Sequence, residues 1–181
     1  MSRENELRVG LLKLVLPELF AEPGTVLYIG AYAKRFSASL PLYQAGHEIT
    51  VVEIWQPFID ELREHRFGNR VAHIVQGDVC EIDTVALPHP VFDYTLWLHG
   101  PEHVDCSFFE ATVRKLEALT DKIVVLATPW GYAPHGTAYD NLHTRHRCYF
   151  VAESFQRIGY SVAAIGPKGR LGGHLLGWKR V

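Results

Sequence analysis

The sequence predicts an α/β protein with a doubly wound, mostly parallel sheet of seven strands and an antiparallel C-terminal hairpin. Short apolar runs alternate with segments of helical spacing along most of the 181 residues, and this alternation is typical of βαβ units. Right-handed crossovers between such units place helices on both faces of the sheet. The last two predicted strands are joined by a short glycine-rich turn, which requires antiparallel pairing.

The chain is predicted to form a single domain, residues 1–181, in which residues 1–22 are a helical segment packed on the sheet. Leu7, Leu11 and Leu14 recur at helical spacing. Pro17 is expected to end this helix, because proline lacks the N–H that a further turn needs.

The predicted strands are apolar runs, rich in β-branched and aromatic side chains and mostly bounded by turn residues. They cover residues 25–29, 48–54, 70–76, 92–98, 122–127, 160–165 and 174–179.

Four of the segments between these strands are predicted to contain a helix. Residues 34–46 have helical character, Pro57 stands in the first turn of the next helix, and two later helices follow the fourth and fifth strands. Their apolar faces are Phe58, Ile59 and Leu62; Phe109, Val113 and Leu116; and Val151, Phe155 and Ile158. Residues 128–147 show no clear period, and a loop of that length in a compact domain is usually functional or mobile.

The composition is that of an ordinary soluble globular protein, with 48% hydrophobic and 21% charged residues. A net charge of -2 indicates neither nucleic-acid nor membrane binding. Residues 1–8 are charged and no signal peptide is visible, so a cytoplasmic location is expected. The cysteines, Cys80, Cys106 and Cys148, are odd in number and not closely spaced, which argues against a disulfide scaffold and fits a reducing compartment.

Ligands of open parallel sheets bind at the carboxyl ends of the strands, so residues at those positions are candidates. Gly30 follows the first strand and either lets a ligand approach the backbone or forms a plain turn. Glu53 ends the second strand, about 20 residues further on, which is the spacing of an acid that binds a ribose diol; the alternative is a solvated acid.

Two further candidates also have both a ligand-binding and a structural interpretation. Asp78 can accept a hydrogen bond from an adenine amine, or it is a turn aspartate that follows a glycine. Trp55 can pack against an adenine ring, or it belongs to the core.

Several motifs, taken in order, resemble those of the class I S-adenosylmethionine (SAM) methyltransferases. Residues 26–37 are similar to the first SAM-binding motif, and Glu53, Asp78 and residues 92–104 are similar to the next three. Glu102 and His103 resemble the Glu-His pair of many small-molecule members. Residues 155–162 and 173–179 resemble the closing helix and hairpin, so the likeness spans residues 24–181.

The resemblance implies a Rossmann-like methyltransferase fold, SAM as cofactor and a small-molecule acceptor. At the mouth of the fourth strand, His99 and His103 are candidate catalytic residues that can face the reacting end of the cofactor and act as a general base, or they are hydrogen-bonded loop histidines. Residues 128–147 are expected to cover the acceptor as a lid. The implied cofactor-binding residues are Gly30, Ala31, Tyr32, Glu53, Ile54, Trp55, Asp78, Val79 and His99.

The first motif departs from the family pattern, because Tyr28, Tyr32 and Lys34 stand where the family has an acid and two further glycines. This departure motivates an alternative hypothesis, a catalytically inactive methyltransferase-like domain that binds a partner or another nucleotide.

A third hypothesis is a metal-dependent hydrolase, since His99 and His103 are four residues apart and His143 and His146 are three apart. No Cys-x-x-Cys or His-Glu-x-x-His motif completes such a site, and residues 100–101 interrupt any helix between the first pair. The sequence therefore predicts no metal site.

Overall fold

A computed structural model describes residues 3–31, 42, 44–64, 71–169 and 173–181. Within them, seven strands form one sheet in the order β3-β2-β1-β4-β5-β7-β6. The strands are β1 (Thr25–Ile29), β2 (Glu48–Glu53), β3 (His73–Gln76), β4 (Phe92–Leu98), β5 (Thr120–Pro129), β6 (Ser161–Ile165) and β7 (His174–Arg180).

Helices connect these strands and cover the sheet. The described α-helices are α1 (Arg3–Val15), α2 (Glu18–Ala21), α3 (Gln56–Glu64), α4 (Cys106–Ala118) and α5 (Ala152–Gln156). Short 3-10 helices cover Val79–Thr84, Pro101–His103 and Leu142–Thr144.

The strand pairing confirms the predicted fold class. β1 pairs in parallel with both β2 and β4, so that Val26 lies opposite Ile49 on one side and Tyr94 on the other. β7 runs antiparallel to both β5 and β6. The strand order therefore reverses at β1 and β4, which is the position where open α/β sheets bind ligands.

Neighbouring residues of a strand point to opposite sides of the sheet, and both faces of this sheet are buried. Val26 and Tyr28 belong to a core cluster that also contains Leu12, Leu16 and Leu19 of the N-terminal segment. Leu27 and Ile29 of the same strand belong to a second cluster with Phe109, Val113 and Leu116 of α4. The sheet is thus a middle layer between two sets of helices and loops.

The observed elements agree with most of the predicted ones. β5 is longer than the predicted residues 122–127, since its last residues pair with the start of β7, where Pro129 lies opposite His174. Most of the predicted helix 34–46 lies outside the described residues. Among the described residues, no helix combines the length and apolar composition needed to cross a membrane.

The prediction against a disulfide is wrong, because Cys106 and Cys148 are bonded. Cys106 begins α4, and Cys148 lies just after the loop of residues 128–147. They are 42 residues apart in sequence, and the return of that loop to α4 brings them together. Cys80 is a free cysteine.

Candidate functional site

A cleft of about 1690 Å³ opens at the carboxyl ends of the central strands. Its walls include Gly30 after β1, Glu53 at the end of β2, Asp78 after β3, His99 after β4 and Pro129 at the end of β5. The predicted strand-end residues therefore meet in one place, at the switch point of the sheet.

Gly30 turns the chain away from β1 with a φ of 72°. Its N–H donates to the carbonyl of Val52 at 2.9 Å, which ties the turn to β2. A Cβ at Gly30 would meet no described atom within 4 Å, so the backbone angle, and not a lack of space, calls for glycine there. Tyr32, Lys34 and Arg35 lie outside the described residues.

Glu53 lines the cleft and is only 6% exposed. Its Oε2 accepts from the N–H of Ala31 at 3.0 Å, and its Oε1 accepts from the N–H of Trp55 at 2.8 Å. Burial raises the pKa of this carboxyl, and the hydrogen bonds from the backbone partly oppose that rise. The side chain is thus held in one orientation beside the Gly30 turn.

The next part of the wall contains Ile54, Asp78 and Val79. Asp78 is exposed and caps the 3-10 helix Val79–Thr84, because its Oδ1 accepts from the N–H of Cys80 at 2.9 Å. Asp78 therefore has the turn role that the sequence allowed and also faces the cleft.

Trp55 packs edge to face against Phe58, with 4.7 Å between the ring centroids. Phe58 lines the cleft, whereas Trp55 is not among the described lining residues. The aromatic surface offered to a ligand at this point is therefore the Phe58 ring, and the adenine contact predicted for Trp55 stays a prediction.

A tight turn after β4 carries the polar groups on the opposite side of the cleft. His99 has a φ of 56°, and its Nδ1 lies 3.3 Å from Oε1 of Glu102, which is 2% exposed. Gly100 lies against the buried Trp97, and a Cβ on it would fall 2.1 Å from the indole Nε1. The close packing of Gly100 on Trp97 therefore fixes the position of the turn at the end of β4.

The loop of residues 128–147 returns to the same turn. The N–H groups of Arg147 and Cys148 donate to the carbonyl of Glu102 at 2.8 and 3.1 Å. The rings of His103 and His146 lie 5.1 Å apart. Burial, the main cause, lowers the pKa of His103. The loop predicted to be a lid thus borders the cleft and packs on His103, one of the two predicted catalytic residues.

The sequence does not indicate the contacts between histidine rings in this region. It associates Glu102 with a motif and His146 with His143. The structure instead places His146 beside His103, and His174 of β7 beside His99, with 4.9 Å between the last two ring centroids. These contacts join distant parts of the chain, so no local spacing could indicate them.

No family model matches the sequence, and no curated protein matches it. Several solved structures do match the chain. A 1,6-didemethyltoxoflavin-N1-methyltransferase of Burkholderia thailandensis, with S-adenosylhomocysteine (SAH) bound, is 21% identical, with a TM-score of 0.62 over 98% of this chain and 78% of that one.

A magnesium protoporphyrin IX methyltransferase of Synechocystis with SAM bound is 16% identical, with a TM-score of 0.67 over 98% of this chain and 79% of that one. A structure from Rhodobacter sphaeroides, provisionally named a Zn-dependent alcohol dehydrogenase, is 15% identical, with a TM-score of 0.68 over 100% and 90% of the two chains.

At such low identities the likeness shows a fold and not an activity. In this chain the fold consists of the strand order β3-β2-β1-β4-β5-β7-β6, an antiparallel seventh strand and a cleft at the switch point. The chain has the fold of the class I SAM-dependent methyltransferases.

Proposed function

We propose that the protein is a SAM-dependent methyltransferase that acts on a small-molecule acceptor. The proposal rests on the position of Glu53. Two backbone N–H groups orient its buried carboxylate at the switch point of this fold. An ionised carboxylate offers about four acceptor positions, so after these two bonds it can still accept from both hydroxyls of a ribose.

The remaining cofactor contacts follow from the order of residues around the cleft. Gly30 and Ala31 leave the backbone open to the cofactor, and Ile54 and Val79 supply apolar contact for the adenine. Asp78 accepts from the adenine amine, and His99 faces the reacting end. Tyr32 and Trp55 remain predicted contacts on the strength of the resemblance alone.

SAM supplies an electrophilic methyl group on a sulfonium, and the protein's task is to align an acceptor nucleophile with it. A protonated acceptor also needs a base, and His99 fits that role. Its Nδ1 lies 3.3 Å from Oε1 of the buried Glu102, so the carboxylate orients the ring and stabilises the imidazolium that forms when the ring takes a proton.

A small-molecule acceptor is supported by the shape and chemistry of the outer cleft. Phe108, Tyr132 and Tyr139 line the cleft and are largely exposed, which provides aromatic surface for a ring-bearing acceptor. The methyltransferases from Burkholderia and Synechocystis described above are named for compounds of that kind, 1,6-didemethyltoxoflavin and magnesium protoporphyrin IX.

A cytoplasmic location stays a prediction, as does the absence of nucleic-acid binding. The Cys106–Cys148 bond counts against a reducing compartment, because structural disulfides persist mainly in oxidising ones.

Calorimetric titration of the purified protein with SAM and with SAH tests the proposal. We expect binding of both ligands, weakened in Asp78→Asn. Asp83→Asn is the matched control, since Asp83 lies in the same 3-10 helix but pairs with Lys115 at 2.7 Å. If neither ligand binds at about 1 mM, the proposal is wrong.

A further inference from the structure

The side of the cleft formed by the turn after β4 and the loop of residues 128–147 contains a cluster of metal-ligating groups. The methyl-transfer reaction does not require them. Glu102, His103 and His146 each offer one ligand atom, and these atoms all lie within 4.8 Å of one another. All three residues line the cleft. Two imidazoles and one carboxylate form a donor set that divalent first-row transition metals favour.

The hydrogen bonds of the two imidazoles determine which ring nitrogen each leaves for a metal. Nδ1 of His103 lies 3.2 Å from the carbonyl of Arg145, and Nδ1 of His146 lies 2.5 Å from the carbonyl of Ala133. A carbonyl only accepts, so each Nδ1 carries the hydrogen and each Nε2 keeps its lone pair. Histidine ligands of metals typically show this arrangement, with the second ring nitrogen donating to a backbone carbonyl or a carboxylate.

The fold holds the three residues together by bonds outside the cluster. The N–H groups of Arg147 and Cys148 donate to the carbonyl of Glu102, and the bond between Cys148 and Cys106 fixes the same segment to the start of α4. His146 is therefore positioned over the turn that carries His103. A site assembled before the ion arrives loses little conformational entropy on binding.

A second cluster of the same residue types has a different arrangement. Glu48, His73 and His89 also lie close together, but they are at the amino ends of the strands and more exposed to solvent. Nε2 of His73 and Nε2 of His89 both contact Oε1 of Glu48, at 3.3 and 2.8 Å. The imidazoles there pair with the carboxylate itself, and no backbone carbonyl is described on their Nδ1 atoms.

We propose that Glu102, His103 and His146 bind one divalent transition-metal ion. Three protein ligands leave coordination positions open toward the cleft. An oxygen of the acceptor can occupy one of them, which would hold the acceptor in place and lower the pKa of its hydroxyl. That last role rests on the proposed methyltransferase function, whereas the binding of the ion does not.

This assignment departs from the sequence-based prediction of no metal site. It also changes the role predicted for His103, from a proton acceptor to a ligand, and leaves His99 as the candidate base. With Nδ1 3.3 Å from Oε1 of Glu102, His99 is additionally a positioning residue for the carboxylate ligand.

Cobalt(II) is the probe, because it substitutes for other divalent metals in nitrogen and oxygen sites and its visible absorption reports coordination. The full chain is treated with a chelator, freed of it and titrated with cobalt(II), by calorimetry and by absorption. We expect one ion per chain and a visible band. His103→Ala and His146→Ala should each weaken binding by about 100-fold or more.

The His73→Ala/His89→Ala double variant is the matched control and should bind cobalt(II) like the parent. Circular dichroism and urea unfolding verify that every variant folds. SAH titration of His103→Ala, by the same calorimetry, separates this proposal from the methyltransferase one, since cofactor binding should survive in that variant.

Three results would overturn the metal site. The first is a folded parent that takes up no cobalt(II) at about 1 mM. The second is unchanged uptake in both His103→Ala and His146→Ala. The third is uptake that disappears only in the His73→Ala/His89→Ala double variant, which would place the ion at the exposed cluster.

Discussion

Glu53 Oε2 accepts a hydrogen bond from the N–H of Ala31 at 3.0 Å, so the carboxylate that ends β2 holds the turn that follows β1. The two strands are parallel neighbours at the switch point. One side chain therefore fixes the shape of the turn and presents its remaining acceptor positions to the cleft.

Replacing this carboxylate by an amide should weaken cofactor binding. We expect Glu53→Gln to lower the affinity for SAH by about 10- to 100-fold, since a hydrogen bond to a charged group contributes about 1.5–3 kcal/mol. Calorimetry measures the loss. Glu48→Gln, at the other end of the same strand, is the control, and equal losses in the two variants would contradict the role given to Glu53.

The raised pKa of Glu53 predicts a pH dependence of stability. A carboxyl whose pKa is raised by folding binds its proton more tightly in the folded state, so the stability it contributes is present at low pH and is lost as the pH rises through the folded pKa. The free energy of unfolding of the parent, relative to Glu53→Gln, should therefore fall as the pH rises from the ordinary glutamate pKa through the raised folded pKa. Urea unfolding at constant salt measures it.

Glu48 should show the opposite sign. A hydrogen bond from His89 is the main cause that lowers the pKa of Glu48, so its contribution is present above the unfolded pKa and lost as the pH falls through the folded one. Relative to Glu48→Gln, the parent should gain stability as the pH rises from the lowered folded pKa through the ordinary glutamate pKa. Slopes of the same sign at both positions would refute the assignment of opposite shifts.

Gly100 should tolerate no side chain. A Cβ there would lie 2.1 Å from the indole Nε1 of Trp97, which is buried in the core, so we expect Gly100→Ala to cost about 2 kcal/mol of stability. Gly136 has no described atom within 4 Å of an added Cβ, and Gly136→Ala should change stability by less than about 0.5 kcal/mol. Urea unfolding compares the two, and equal costs would contradict the close packing at Gly100.

The Cys106–Cys148 bond should stabilise the protein measurably. For residues 42 apart in sequence, closing the loop in the unfolded chain is worth about 3–4 kcal/mol. Titration of the unfolded, unreduced chain should find one thiol, from Cys80, and reduction should expose three. Three thiols before reduction would rule the bond out. Cys80→Ser is the control, because reduction should destabilise it as much as the parent.

The sequence predicted most of the secondary structure because burial on a sheet or a helix repeats over a few residues. The apolar run of residues 25–29 predicts a buried strand, and the spacing of Phe58, Ile59 and Leu62 predicts one helical face. The limits of β5 were less predictable, since its end is set by pairing with β7 and not by its own residues.

The sequence by itself determined the fold class and the positions of Gly30, Glu53 and Asp78 at strand ends, because a parallel sheet brings its carboxyl ends to one edge whatever the loops do. Only the tertiary structure paired Cys106 with Cys148 and placed His146 beside His103. Those contacts depend on how a loop without periodicity returns to the sheet. Such a return is governed by packing between distant segments, which no local pattern of residues records.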